Sequence, residues 1–496
     1  IEMNSGKYTI DEETKEITFT EDSEKWVPIG DYSNNGMNFR GTYDGREHKI
    51  SGIYIDNENA SYQGLFGFAH NNSVIKNLNI EKSKIIGESN IGAITGQSYG
   101  TIENCSNTAE VHGTSGYVGG ICGHISGSNA ISNCYNAGNI SGTSRIGGIC
   151  GYINNSIKLA NCYNTGNVSA TGSYIGGIVG YNNATTNNNQ EIINCYNTGY
   201  VTTTLSDAGG IVGHSTVISI ISCYNVGNIE SEDNCAGICG FVGNRGTISN
   251  CYNTGKINCK RYSGGGILGC NKTSNLELTN CYNKGDVTTN ASYAGGIVGN
   301  LGNRMRVISC YNTGNILSKK SYAGGIGGYG IVSATSGGTQ DSWSTINKCY
   351  NIETVTGVEY VGGILGIYSG SSYTSFLENY NLGKVEGISI LGSIIGESAG
   401  TNNCTDCYYE TGTANDGIGK PSGNTGCTQT TREDVISKIK NLDAYKNDIY
   451  NINNGLPILS WQTDNDKLNL INGDNAFVED TQGINNGYPI LAWQSK

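Results

Sequence analysis

Asn161-Cys162-Tyr163-Asn164-Thr165-Gly166-Asn167-Val168, followed after six residues by Ile175-Gly176-Gly177-Ile178-Val179-Gly180, is one copy of a two-phrase unit that recurs along the chain. The glycine phrase has its aliphatic residue at Leu65, Ile94, Ile121, Ile149, Ile178, Ile211, Ile238, Ile267, Ile297, Ile326, Ile364 and Ile394, which makes twelve copies. The first phrase puts Cys at 105, 134, 162, 195, 223, 251, 281, 310, 349 and 407, with Leu78 and Asn379 in the same slot. From the slot to the next aliphatic residue the distance is always 15 or 16 residues, whereas the return varies from 11 to 23. Register-locked backbone tolerates no insertion and exposed turns do. The insertions near 182–190 and 330–344 therefore leave the stack on one side.

Paired glycines cost roughly 1 kcal/mol each inside a helix, and no 3.6-residue period is visible, so a helical repeat is excluded. Short β-branched runs bounded by Gly, Asn, Ser and Thr read as strands between tight turns. A unit this small buries too little alone, so the units must stack. The expected fold is all-β: a parallel β-solenoid of about twelve coils, with an N-terminal β cap and a small mixed C-terminal cap.

Alternation assigns the faces. Three residues before the slot the chain is aliphatic (Ile102, Ile131, Leu159, Ile192, Ile220, Ile248, Leu278, Val307, Ile346), and six after it is mostly Val or Ile. The cysteine shares that parity and points inward. The residue before it admits Lys348, Glu378 and Asp406 and points outward, as does the tyrosine after it. The asparagine two residues beyond the slot (Asn136, Asn164, Asn197, Asn225, Asn253, Asn283, Asn312, Asn351, Asn381) should stack as an amide ladder, satisfying buried polar groups that otherwise cost about 1 to 3 kcal/mol each.

The chain has 18 cysteines, most at repeat positions where other copies carry aliphatics, Cys122, Cys150 and Cys239 among them. Neighbouring coils would hold equivalent Cβ atoms near 4.8 Å, wider than the roughly 3.8 Å of a disulfide, so mostly free, buried thiols are expected. Cys404-x-x-Cys407, with Cys427 nearby, follows from the repeat, and no metal ligand set is assigned.

Three regions result: residues 1–60 as N-terminal cap, 61–410 as solenoid, and 411–496 as C-terminal cap. In the last, Thr430 to Glu433 reads as a capping box before a helix with apolar Val435, Ile436 and Ile439. A phrase then occurs twice, Ile452-Asn-Asn-Gly-Leu-Pro-Ile-Leu-Ser-Trp-Gln and Ile484-Asn-Asn-Gly-Tyr-Pro-Ile-Leu-Ala-Trp-Gln. Proline confines each copy to a sheet edge, where it would block end-to-end growth.

The Gly-Gly-Ile-x-Gly and Asn-Cys-Tyr-Asn-x-Gly phrases resemble GLUG-motif repeats, found in large surface or secreted bacterial proteins, including non-catalytic regions of immunoglobulin A metallopeptidases. The likeness covers about residues 39 to 410, and of the glycine phrases only Leu65 keeps the family's usual leucine. It implies a surface-exposed bacterial protein and no catalytic residue.

Composition narrows the function. With 74 Gly, 4 Pro, 15% charged residues and a net charge of −12, the chain is neither collagen-like nor disordered, and it lacks the basic face that nucleic acid requires. Glycine or asparagine interrupts every apolar run, so membrane insertion is not expected. No basic, apolar leader opens the sequence at Ile1, and a secretion signal is expected to have been removed or to lie outside it. The five histidines, His48, His70, His112, His124 and His214, form no His-Glu-x-x-His. Asp207, Glu230, Glu232, Asp233, Glu359 and Glu386 scatter over one half of the repeat as a solvated face would. No catalytic residue and no cofactor is assigned.

The outward feature that remains is one tyrosine per coil: Tyr135, Tyr163, Tyr196, Tyr224, Tyr252, Tyr282, Tyr311, Tyr350 and Tyr380, with Tyr408 following. Stacked, they would make an aromatic stripe for sugar rings or a protein partner, unless they only shield the stack. A patchier second row precedes the glycine phrase (Tyr117, Tyr174, Tyr293, Tyr322, Tyr360), and the insertions after Tyr181 and Tyr329 are further contact candidates. The sequence thus points to a non-catalytic extracellular or cell-surface adhesin that binds a host glycan or host protein, immunoglobulin included. A polysaccharide lyase or glycosidase and a structural spacer are the alternatives.

Overall fold

The computed structural model describes residues 1–446 apart from 12, 15, 31, 33–36, 128, 156, 185–189, 273–274, 333–343, 371–373, 399–401, 421–422 and 424, and beyond these 457–459, 477–478 and 490–491. The fold is a parallel β-solenoid of about twelve turns, with one short helix among the described residues. The chain divides into two compact units, the first built on Ile1–Ile218 and the second beginning at Ser219.

In the first unit, one turn shows how sequence becomes coil. Strand Lys158–Ala160 leads to a corner at Asn161, Tyr163–Asn164 and Val168–Ala170 follow, a second corner falls at Tyr174, and Ile175–Gly176 and Val179–Asn183 complete the turn. Each strand pairs in parallel with its equivalents, as in Leu159 with Ile131 and Ile192, Val168 with Ile140 and Val201, and Val179 with Cys150 and Val212. The aliphatic places Leu159, Val168, Ile175 and Ile178 are fully buried, and each such side chain contributes roughly 1.5–3 kcal/mol. The repeat begins before the first glycine phrase, because Thr42–Asp44 and Lys49–Ser51 already pair in parallel with Val74–Glu81.

Both corners are left-handed. The residue before the cysteine slot, read from sequence only as outward, has φ of 52–55° at Asn104, Asn133, Asn161 and Asn194. Asparagine tolerates this region better than most side chains, which accounts for its recurrence there. The second corner, before the glycine phrase, has φ of 57–72° at Tyr62, Asn90, Tyr117, Arg145, Tyr174 and Asp207.

The interior ladders are as the alternation predicts. Asn164 Nδ2 donates to Gly166 O (2.7 Å) and to Asn197 Oδ1 (2.8 Å), while its own Oδ1 accepts from Asn136 Nδ2 (2.7 Å). Both amide hydrogens are used, one within the coil and one between coils. Glycine is required where this amide meets the next phrase: a Cβ on Gly177 would collide with Gly210 O and the Asn197 amide. The cysteines form a second ladder. Cys134 Sγ accepts the Cys105 N–H (3.4 Å) and donates to Ser132 O (3.2 Å).

The second unit repeats this plan. Its amide ladder runs from Asn225 through Asn253, Asn283, Asn312 and Asn351 to Asn381 at 2.8–3.0 Å. Asn379 stands in a cysteine slot and supplies the same acceptor, its Oδ1 taking the Cys349 N–H at 3.1 Å. All 18 cysteines are free and buried. Burial pushes the Cys105 and Cys281 thiols well above the ordinary range, so they stay protonated.

The C-terminal segment departs from expectation in two ways. The helix Arg432–Lys440 is capped by Thr431, whose side chain accepts from the Asp434 N–H, rather than by Thr430, which donates to Asp434 Oδ2 (2.7 Å). The frame shifts by one residue because Val435 and Ile439 must face inward together. Ile458–Leu459 of the first proline phrase pairs antiparallel with Tyr445–Lys446 and so stands at the edge of a two-stranded sheet, but this hairpin lies against the side of the solenoid rather than capping its end. Tyr445 donates to Lys348 O (2.7 Å), its ring is 5.3 Å from Tyr350, and the Tyr350 hydroxyl donates to Pro457 O. Ile490–Leu491 of the second phrase pairs antiparallel with Phe477–Val478. The remainder of both phrases lies outside the described residues.

Candidate functional site: an aromatic ridge at the second corner

The tyrosine row after the cysteines is not a surface. Tyr163, Tyr196, Tyr224, Tyr252, Tyr282, Tyr311, Tyr350 and Tyr380 are at most 3% exposed, and only Tyr135 and Tyr408 reach solvent in part. The rings stack face to face, as in Tyr163 on Tyr196 (4.8 Å, 1°) and Tyr282 on Tyr311 (5.1 Å, 4°). Their spacing matches that of paired strands. The side chains do leave the coil on its outer side, but in the second unit the C-terminal segment covers them. Tyr445 and Pro457 cover Tyr350, and Lys438 Nζ lies 3.9 Å above the Tyr408 ring. With its rings stacked and eight of them at most 3% exposed, this row leaves little open ring face for a sugar or a partner.

The second row is the one that reaches solvent. In the first unit, corner residues Tyr117, Arg145, Tyr174 and Asp207 run beside the next strand's outward residues His124, Tyr152, Tyr181 and His214, which are register partners in successive coils. Tyr117, Arg145, Tyr152, Tyr174 and Tyr181 are all partly exposed. Tyr117 lies 4.9 Å from Tyr152, Tyr152 5.5 Å from Tyr181, and Tyr174 5.2 Å from Tyr181. Interplanar angles of 28–55° leave these rings splayed, with edges and parts of faces open.

Polar groups border the ridge. Asn183 Nδ2 donates to Tyr152 Oη (2.9 Å), and the Tyr181 hydroxyl donates to Asn183 Oδ1 (3.3 Å). His214 Nδ1 and Asp207 Oδ2 are 2.7 Å apart at one end. His124 is pushed down to about 4 by burial, so it is neutral at neutral pH. Arg145 lies over three rings, its Cζ 5.2 Å from Tyr117, 5.4 Å from Tyr174 and 5.7 Å from Tyr181.

In the second unit the same corner carries Tyr293, Tyr322 and Tyr360, with Tyr322 stacked on Tyr360 (5.0 Å, 16°) and Tyr329 4.7 Å from Tyr293. Both long insertions leave the coil from the strand beside this ridge, after Val179–Asn183 and after Gly327–Val332. Residues 185–189 and 333–343 within them lie outside the described residues.

The acidic residues weighed for catalysis are dispersed. Asp207 meets His214, Glu230 pairs with Lys260 (2.8 Å), Asp233 with Arg261, and Glu386 with Lys384 (2.7 Å), while Glu359 accepts from Ser389 (3.4 Å). A cleft of about 390 Å³ in the first unit is lined by Thr14, Glu16, Glu110, Asn139, Ser141 and Asn167. Its two carboxylates share Lys84, at 3.9 and 3.5 Å. Cys407 and Cys427 are register partners on neighbouring strands, and Cys404 lies three residues before Cys407. Among the described residues no cluster of three or more His, Cys, Asp or Glu is arranged to hold a metal ion.

Fold and surface together define a repeat solenoid with a solvent-facing aromatic ridge. No family model matches the chain. Halomucin of Haloquadratum walsbyi is 36% identical over 87 residues, covering 18% of this chain and 1% of halomucin. A provisionally named Gly-rich membrane protein of Evansella cellulosilytica is 37% identical over 84 residues, 16% of this chain and 9% of that protein. The chain thus spans less than a tenth of the length of these relatives. Among solved structures, a provisionally named immunoglobulin A1 protease from Bacteroides ovatus matches 59% of this chain and 88% of its own, at 20% identity and a TM-score of 0.39.

Proposed function

We propose that this chain is a repeat segment of a bacterial surface or secreted protein that binds glycan through the second-corner ridge. The observation that carries this reading is the placement of tyrosine at Tyr117, Tyr174, Tyr293, Tyr322 and Tyr360, all with positive φ and all partly exposed. A bulky side chain in this conformation costs roughly 1–2 kcal/mol that glycine avoids and asparagine partly avoids. The fold itself needs only a left-handed residue there, as Asn90 and Asn234 show. Aromatic edges interleaved with hydroxyl and amide groups suit the alternating CH and OH surfaces of a sugar. Insertions beside the ridge agree, because repeat proteins carry recognition on inserted loops.

A surface location is supported by the GLUG-like phrases and by the names of the two relatives. Among the described residues no helix is long and apolar enough to cross a membrane. A spacer role is the second reading, favoured by how little of those long relatives this segment represents. A glycan array probed with the wild type and with a Tyr174→Ala, Tyr181→Ala variant tests the ridge. Binding that the double variant loses supports it; binding that the variant keeps moves the site elsewhere, and an empty array favours the spacer.

A further inference from the structure

Among the described residues, the cation on the ridge of the first unit has no counter-charge. Arg145 occupies a left-handed corner and lies against Tyr117, Tyr174 and Tyr181 in neighbouring coils. Its Nε is buried without a hydrogen-bond partner, and among the described residues no carboxylate pairs with it, although the side chain reaches solvent in part. The nearest acid along the corner row, Asp207, lies two coils on and is engaged by His214 at 2.7 Å. Arg261 of the second unit provides the contrast: it rests on Tyr262 and is neutralised by Asp233. A guanidinium pinned between rings has lost most of its rotamer freedom, so little ordering cost remains when it meets a bidentate anion.

We propose that Arg145 reads a carboxylate, and that the ridge of the first unit binds an acidic saccharide of the uronic acid class. The proposal rests on the glycan reading above. The ridge repeats once per coil, and the rings of the register partners Tyr152 and Tyr181 lie 5.5 Å apart. That period is close to the length of one pyranose in an extended chain. An extended acidic peptide presents like-facing side chains only about every 6.6–6.8 Å and falls out of step. With Arg145 on the carboxylate, the next sugar along meets the Tyr152 and Tyr181 hydroxyls and Asn183, which both donate and accept. The chain's net charge of −12 opposes anions at long range. The recognition must therefore come from this local fork rather than from a general field.

The test uses the full chain, oligogalacturonate, the same oligomer methyl-esterified, and hexaglutamate, each titrated calorimetrically. Expected results are binding of the free acid, at least tenfold weaker binding of the ester, a loss of tenfold or more in Arg145→Met, and an intermediate affinity in Arg145→Lys. Equal affinity for acid and ester in the wild type, or an unchanged Arg145→Met, overturns the proposal. So does binding of hexaglutamate in place of the uronate, or no uronate binding. The acid and ester comparison on the wild type decides even if a variant does not fold. The broader reading is tested separately: neutral binding that Tyr174→Ala, Tyr181→Ala abolishes keeps the ridge as a glycan site while removing the carboxylate. Indifference of every sugar to that double variant removes the ridge itself.

Discussion

Asn164 shows why one residue type recurs at every turn. It makes three side-chain hydrogen bonds while fully buried, two donated and one accepted, and no other uncharged side chain of its size supplies both functions in one plane. Asn164→Ala strands the Asn136 amide hydrogen and the Gly166 carbonyl, and we expect a loss on the order of 3 kcal/mol. Asn164→Asp should cost at least as much, because a carboxylate would face Gly166 O and Asn197 Oδ1 with nothing to donate. Urea denaturation of both variants measures this; a shift below about 1 kcal/mol would show the ladder to be dispensable. His124 makes a second residue-scale prediction. Its pKa is about 4 in the folded protein, through burial among Tyr117 and Tyr152, against about 6.5 unfolded. The unfolded chain then binds the proton more readily, so stability is lost as pH falls from about 6.5 toward 4, by up to ~3 kcal/mol. Denaturation midpoints of wild type and His124→Gln should agree at pH 7 and diverge below 6, with the wild type falling faster.

At the scale of the element, the helix and the corners show what local pattern can and cannot fix. Thr430 and Glu433 have capping-box spacing, but the burial of Val435 and Ile439 places the cap at Thr431. Thr431→Ala should lower stability by about 1 kcal/mol and Thr430→Ala by clearly less; equal effects on the thermal midpoint would restore the sequence-based frame. The coil itself was legible because its signals are local and redundant: slot cysteines alternate with aliphatics, and the amide position admits only asparagine from Asn136 to Asn381. The outer faces were harder to read. Alternation correctly sends Tyr163 and Tyr350 out of the coil, but which outer face is wet depends on a segment about a hundred residues further on, as Tyr445 and Pro457 on Tyr350 show. A usable signal was present, since an invariant aromatic row and a C-terminal segment rich in Pro-Ile-Leu-x-Trp each need an apolar partner. The irregular second row, with Arg145 and Asp207 among its tyrosines, looked weaker for the reason that makes it the better candidate site: a position free of packing demands is free to vary.

Over the whole molecule, the 18 cysteines are a structural material. An aliphatic slot residue would fill the same space, yet Cys134 also accepts the Cys105 N–H and donates to Ser132 O, so the thiol satisfies backbone groups that the left-handed corner leaves unpaired. Asn379 substitutes by offering an amide oxygen at the same point, and Leu78 sits buried in the first slot, where the side chain need only be apolar. Oxidising two neighbouring slots would remove the S–H donor and draw together Cβ atoms that the strand spacing of about 4.8 Å holds too far apart. The reduced state is therefore the folded state. Ellman's reagent on the native protein should find no rapidly reacting thiol, and in concentrated guanidinium all 18 should react at the rate of free cysteine. The first to respond as denaturant rises should be Cys404 and Cys427, which at 8% and 5% exposure are the least shielded of the set. A fast class in buffer, or a shortfall after unfolding that a reductant restores, would mean that disulfides and not thiol hydrogen bonds hold the ladder.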